Sequence, residues 1–351
     1  MMPYLMEDDP EVARIIRDEE SRAENTLDLI AAENHAPRSV LEAQGSIFSL
    51  KAAEGFPGNR FHAGCRYADD LENLAVSRAK SLFGADHANV QPHSGVSANL
   101  AVYFAVLDVG DRILSMKLSH GGHLSHGDAA SMTSRCFVFQ HYGLNLKTEQ
   151  LDYDEIENLA QSFRPRMIVA GASSYPRLID YEKMAAIAQS VSAVLLVDMA
   201  HIAGLVAARV IPSPVPHADF VTFTTYKTLR AGRGGVILCR QKYADRINRA
   251  TFPGGQGTPS LNLIAAKAVC FHLAQADDFV ELQKKTLKNA DCFAAEFERL
   301  GYRIVSGGTD NHLVLIDLRT KGLTGALAEK TLESVGIIVN RNVIPGDPEK
   351  P

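Results

Sequence analysis

The chain has no excess of basic charge: 36 Lys and Arg stand against 41 Asp and Glu, a formal net charge of -5. Nothing in that balance draws it to a phosphate backbone, so no nucleic-acid partner is expected. Long apolar runs are missing too. Stretches such as Ala193 to Val197 are far too short to cross a bilayer, so no membrane role is expected. The opening residues, Met1 to Pro10, are acidic and do not follow the basic-then-apolar order of a signal peptide. Cysteine is sparse: Cys65, Cys136, Cys239, Cys270 and Cys292 are scattered, with no C-x-x-C spacing. That argues against a zinc site and a disulfide framework. Several lie in apolar surroundings and read as buried thiols, and a reducing, cytoplasmic setting is expected. There is no internal repeat and no low-complexity tract.

What is present is core material. With 351 residues, 46% hydrophobic and 22% charged, the chain can bury two compact domains. Residues 8–29 predict an amphipathic helix and 38–52 another, while 54–66 form a Gly- and Pro-punctuated loop. Leu71, Leu74, Ala75, Ala79 and Leu82 follow helical spacing within 70–83. Short apolar runs then recur at 87–91, 112–116, 166–171, 194–198, 219–224 and 235–239, separated by helical stretches such as 96–108, 153–163 and 181–192. This alternation predicts an α/β layer with a mostly parallel, buried sheet. Functional groups are expected just past the carboxyl ends of its strands. Beyond 260 come helices at 261–275 and 278–299, then strands at 302–306 and 312–317.

Five segments could carry chemistry. Lys227 lies among hydroxyl residues, Thr224, Thr225 and Thr228, just before Gly232-Arg233-Gly234-Gly235. A lysine at a strand end is usually a solvated charge; in a partly dry pocket it can lose its proton and form a Schiff base with a carbonyl. Asp198 ends the run Leu195-Leu196-Val197, and His201 follows three residues on. It reads either as a helix cap or as the carboxylate that keeps a pyridine nitrogen protonated. His93-Ser94-Gly95 opens a helical stretch whose backbone amides could bind phosphate, or simply a capped helix. His120, His123 and His126 could suggest a metal, but no cysteine or carboxylate at ligand spacing supports one, so none is expected. Phe252 to Gly257 forms a loop with a possible anion-binding nest.

Together these segments strongly resemble the serine hydroxymethyltransferase family. The likeness includes Leu29 to Asn34, Ala53-Glu54-Gly55, Asn89 to Gly95, His120 to Gly127, Val197 to Leu205, the lysine segment, Phe252 to Gly257 and Ser306 to His312. It implies a pyridoxal-phosphate enzyme of fold type I, the aspartate-aminotransferase-like fold, with a mostly parallel central sheet and a smaller C-terminal α+β domain. The expected divisions are an arm at 1–45, a large domain at 46–258 and a small, incomplete domain at 259–351. It implies interconversion of serine and glycine, with tetrahydrofolate taking the one-carbon unit as co-substrate. Two alternatives stand beside it: a folate-independent aldolase on β-hydroxy amino acids, and an inactive, truncated cofactor-binding homologue.

The resemblance also assigns roles. Lys227 would bond to the cofactor aldehyde, Asp198 would pair with the pyridine nitrogen, and His201 would meet the phenolic oxygen. His123 would stack on the ring, with Ser173 and Thr224 beside it. Ser94, Gly95 and, from a partner subunit, Gly257 would hold the phosphate. Glu54 would reach in from a partner and act on the substrate hydroxyl or the folate. His62 stands where the family has a tyrosine near the reacting centre. Leu118, Gly122, Leu124 and Asn340 match positions that touch folate. A homodimer with shared sites, possibly a tetramer, follows, with a small amino acid and folate as substrates. Departures cluster near the substrate. Ala32, Ala52, Phe61, His62, Val96, Tyr226 and Thr258 replace the family's usual residues. The small Ala52 raises the expectation of a 2-methylserine substrate, with alanine as its counterpart. Members of the resembled family continue past the point matching Pro351 into a segment with an arginine that clamps the substrate carboxylate; the expectation here is either a truncated chain or another cation in its place, with Arg60 and Arg66 as candidates.

Overall fold

The computed structural model describes residues 3–347. Residues 1–2 and 348–351, which open the expected arm and close the expected small domain, lie outside the described residues.

The central sheet has seven strands: β1 (His87–Asn89), β2 (Arg112–Met116), β3 (Val138–Tyr142), β4 (Met167–Ala170), β5 (Val194–Asp198), β6 (Phe220–Thr224) and β7 (Gly235–Cys239). Their spatial order is β1-β7-β6-β5-β4-β2-β3. Only β7 runs against its neighbours in this sheet. Alternate side chains enter two apolar layers. Ile168, Leu195, Val197, Val221 and Phe223 face one; Met167, Val169, Leu196, Phe220 and Ile237 face the other. That two-sided burial is why these strands read as continuous apolar runs. Each such side chain contributes roughly 1.5–3 kcal/mol by leaving water.

The flanking helices include α1 (Pro10–Asn25), α2 (Arg38–Gln44), α3 (Arg66–Phe83), α4 (Gly95–Val106), α5 (Tyr153–Phe163), α6 (Tyr181–Ser190), α7 (Leu261–Leu273) and α8 (Asp277–Arg299). Local chemistry sets their ends. Asp152 and Asp180 cap α5 and α6 by accepting from the amides of Glu155 (3.2 Å) and Lys183 (3.0 Å). Helix α3 ends at Gly84, whose φ of 68° suits glycine. Helix α7 packs against α3 and α2, beneath the sheet edge formed by β1 and β7. Among the described residues, no helix is long and apolar enough to cross a membrane.

Several elements differ from the sequence expectation. Strand β3 was not foreseen. It is an edge strand, largely only partly covered, and its sequence Val-Phe-Gln-His-Tyr has no apolar run to reveal it. The expected helix at 38–52 stops before Gly45, and only a short 3-10 turn, Ile47–Leu50, follows. The strands expected at 302–306 and 312–317 contract to an antiparallel pair, Arg303–Ile304 and Ile316–Asp317. Ile337–Ile338 pairs in parallel with Leu27–Asp28, tying the late chain to the early chain. Cys65, Cys239 and Cys270 are buried, and burial pushes the thiols of Cys239 and Cys270 up to about 12.

Candidate active site

The pocket forms where the parallel strands end. Asp198 is the last residue of β5 and Thr224 the last of β6. The chain leaving β6 turns back at once into antiparallel β7, and Lys227 lies in that return. Thr225 fixes its base: the hydroxyl donates to Gly232 O (2.7 Å) and the amide to Gly234 O (3.2 Å). The start of α4 faces the same space. Ser94 and Ser97 cap it reciprocally, Ser97 N donating to Ser94 Oγ (3.1 Å) and Ser94 N to Ser97 Oγ (2.9 Å). The amides of Gly95 and Val96 stand at the uncovered positive end of the helix.

These elements line a cleft, partly open to solvent, with about 470 Å³ of space not filled by protein atoms. Eight of the residues expected from the sequence line it: Ser94, Gly95, His123, Ser173, Asp198, His201, Thr224 and Lys227. Val96, His126, Ala172, Ala200 and Tyr226 complete the wall.

The buried carboxylate is held by a network. Asp198 Oδ2 accepts from Asn99 Nδ2 (2.8 Å) and lies 3.1 Å from His126 Nε2; its Oδ1 accepts from Ala200 N (3.0 Å). Asn99 is fixed in turn by Thr222, whose hydroxyl donates to Asn99 Oδ1 (2.6 Å). Burial pushes the Asp198 carboxyl upward. The His126 hydrogen bond, the neighbouring imidazoles and Asn99 outweigh that and hold it well below the usual carboxylate range. It is therefore an anion although it is buried.

The amine opposite is tuned the other way. Lys227 is 7% exposed, and burial lowers its pKa, opposed by Asp198 and assisted by Arg233. Among the described residues, no hydrogen bond holds its Nζ. Burial also keeps His123 neutral, down to about 4, and drives His201 well below its ordinary value. His201 stacks on His312 with centroids 5.7 Å apart.

The residues expected outside this wall fall elsewhere. Glu54 contacts both His62 and Thr258, so these three form their own cluster. Leu118 and Leu124 are exposed on turns after β2, and Gly122 lies against the backbone of Met116. Asn340 is exposed and bonds Asn342, while Gly257 has open space around it. Ala52 is exposed and does not line the pocket.

Two expectations are corrected. Arg60 is not available as a carboxylate clamp. Its guanidinium is buried and bonds Asp69, Glu72, Ala53 O and Gly55 O, all at 2.7–2.9 Å. And the histidine motif does have a carboxylate: folding brings Asp198 so close that the ligand atoms of His123, His126 and Asp198 lie within 4.8 Å. Spacing in sequence could not reveal this, because Asp198 arrives from a different strand. Asn99, Thr222 and His126 were also missed as functional residues. The signal was faint: Asn99 is four residues after Gly95, one helical turn along the same face.

The pocket fits a pyridoxal phosphate on its own terms. Thr224 Oγ1, His201 Nδ1 and His126 Nδ1 are buried around it without partners. A Cβ on Gly95 would stand 2.7 Å from Thr224 Cγ2, so any side chain there would force Thr224 to shift. An anionic carboxylate, an unbonded amine and a helix N-terminus meet the needs of a pyridine nitrogen, an aldehyde and a phosphate. Sheet order and pocket together define the class: a pyridoxal-phosphate-dependent transferase of fold type I. The sequence comparisons narrow it. The family model described as serine hydroxymethyltransferase matches residues 5–351. Proteins named serine hydroxymethyltransferase from Dehalococcoides mccartyi strains BAV1 and CBDB1 are 54% identical over 344 residues, covering 98% of this chain and 83% of theirs. The protein of that name from strain 195 matches at the same identity and coverage. The chain belongs to the serine hydroxymethyltransferase family, whose members use pyridoxal 5'-phosphate and take tetrahydrofolate as co-substrate.

Proposed function

We propose that this pocket interconverts serine and glycine, with tetrahydrofolate carrying the one-carbon unit. The observation that carries the reading is a single one: Lys227 and the anionic Asp198 share one buried pocket at adjacent strand ends. When bound, pyridoxal phosphate supplies a cationic ring that accepts the electron pair released as a bond to the substrate Cα breaks.

The chain's own residues do the rest. Lys227 anchors the cofactor aldehyde, and its lowered pKa favours the nucleophilic amine. Asp198 keeps a proton on the ring nitrogen. His201 and Ser173 would border the ring and His123 would stack on it, both imidazoles held neutral by burial. Ser94, Gly95 and Thr224 hold the phosphate. The hydrogen bond from Thr258 keeps Glu54 below the ordinary carboxyl range. As a carboxylate, Glu54 can take the proton of the substrate hydroxyl, with His62 as its neighbour. Leu118, Gly122, Leu124 and Asn340 receive the folate. Glu54, His62 and Gly257 serve the pocket of a second copy in a homodimer. In the proposed division the arm at 1–45 precedes and the unit at 259–351 follows the catalytic layer at 46–258, with α7 packed into the core of that layer. Five free cysteines suit a reducing cytoplasm.

The relatives' names favour this reaction over a folate-independent aldolase or an inactive homologue, and favour serine over 2-methylserine. The test has two parts. Borohydride reduction and peptide mapping should place the pyridoxyl adduct on Lys227. Glycine formation from L-serine should require tetrahydrofolate and exceed the rate on α-methylserine. An adduct elsewhere, or a rate indifferent to folate, refutes the reading.

A further inference from the structure

The phosphate end of the pocket is lined by uncharged groups: Ser94, Gly95 and Thr224. Directly behind it lies a charge that the reaction scheme does not use. Lys267, on α7, is fully buried. Its Nζ donates to Val90 O (2.7 Å), Gly235 O (2.9 Å) and Pro92 O (3.1 Å). Three carbonyl acceptors require three N–H donors, which an ammonium has and a neutral amine lacks. Pro92 O also accepts from Gly235 N (2.9 Å), so the lysine and β7 grip the same carbonyl. Glycines make the approach possible. A Cβ on Gly234 would stand 2.3 Å from Lys267 Cε, and one on Gly235 would stand 2.2 Å from Ser94 O.

We propose that Lys267 is a positioning residue for the cofactor phosphate: its buried ammonium fixes the Val90–Pro92 backbone that leads into the α4 N-terminus and lends positive charge to the dianion bound there. Burial works against that charge and lowers the Lys267 pKa to about 7, and Glu72, which raises it, is itself paired with Arg60 at 2.7 Å; the three carbonyl acceptors are what favour the ammonium. His93, the residue before Ser94, is lowered first by burial, while the field of Lys267 pushes it in the same direction. A phosphate dianion at the helix end is attracted by that same field, in a region of low dielectric.

The inference rests on the Ser94–Gly95 cradle being the phosphate site, and the experiment separates the two. Pyridoxine 5'-phosphate and pyridoxine, which cannot bond to Lys227, are titrated into the cofactor-free full chain. Lys267→Gln should weaken the phosphorylated ligand about tenfold and leave pyridoxine unchanged. Equal losses for both ligands, or none, overturn the proposal. Gly95→Ala should weaken pyridoxine 5'-phosphate in the same assay. An unchanged affinity there overturns the cradle and the inference with it. A loss at Gly95→Ala beside an unchanged Lys267→Gln overturns the inference alone. Should Lys267→Gln fail to fold, the wild-type chain labelled at lysine Nζ decides. A slowly exchanging ammonium resonance that shifts with pyridoxine 5'-phosphate and not with pyridoxine supports the proposal, and its absence or indifference overturns it.

Discussion

In the strand-end pocket, Asp198, Asn99, His126 and Thr222 engage one another, and Lys227 is almost covered. In the 47–62 segment, Ile47, Leu50 and Phe61 stand 75%, 79% and 75% exposed. The first is largely assembled from its own chain; the second leaves large apolar side chains uncovered. The pocket hangs on strands buried on both faces, so its groups are fixed by the core. The segment runs over the surface and presents apolar side chains that a soluble chain usually covers with a partner. Within one chain, then, most of the proposed cofactor side is assembled, and the proposed substrate-side residues Glu54 and His62 lie outside it, in keeping with the proposed homodimer.

Mutations at the two ends of this contrast should separate. Lys227→Gln removes the anchoring amine and should lower turnover by about a thousandfold or more, with no borohydride-stable adduct. Residual activity near that of the unaltered chain would break the assignment of the pocket. Glu54→Gln should cost about a hundredfold in kcat while cofactor absorbance stays intact. Loss of the cofactor on that change would erase the division between the two regions. The smallest effect is on stability. His123 and His312 stay neutral down to about 4 in the folded chain because they are buried, whereas unfolded imidazoles bind protons near 6.5. Between those values the unfolded chain holds more protons, so stability is intact above 6.5 and is lost as the pH falls towards 4. The thermal midpoint measured across this window should drop, and His312→Phe should flatten the drop. An unaltered slope would remove His312 from the account.

The parallel strands were legible because burial on both faces demands continuous apolar runs, as at Leu195 to Val197. The residues that line the pocket were legible because they sit where those runs end. What stayed hidden depends on three-dimensional convergence. Strand β3 needs only one covered face and so shows no pattern. Asp198 meets His126 across 72 positions of sequence. Lys267 stands in the apolar stretch Leu261 to Leu273, where a lone lysine reads as the edge of a helix face. Its acceptors come from β7 and the segment after β1, and nothing in the local sequence announces them. Arg60 misled for the same reason: a loop arginine looks solvated until its carbonyl partners are in place.

The reversed direction of β7 has one more consequence. A crossover to a parallel strand would carry the backbone over a face of the sheet to the opposite end of the strands. Here residues 225–234 leave β6 and re-enter the sheet beside it, staked at Thr225, Gly232 and Gly234. The amine at 227 is thus on a short leash pegged at both ends. Were a cofactor aldehyde joined to that amine, a tether this brief would hold the freed amine close to the same spot.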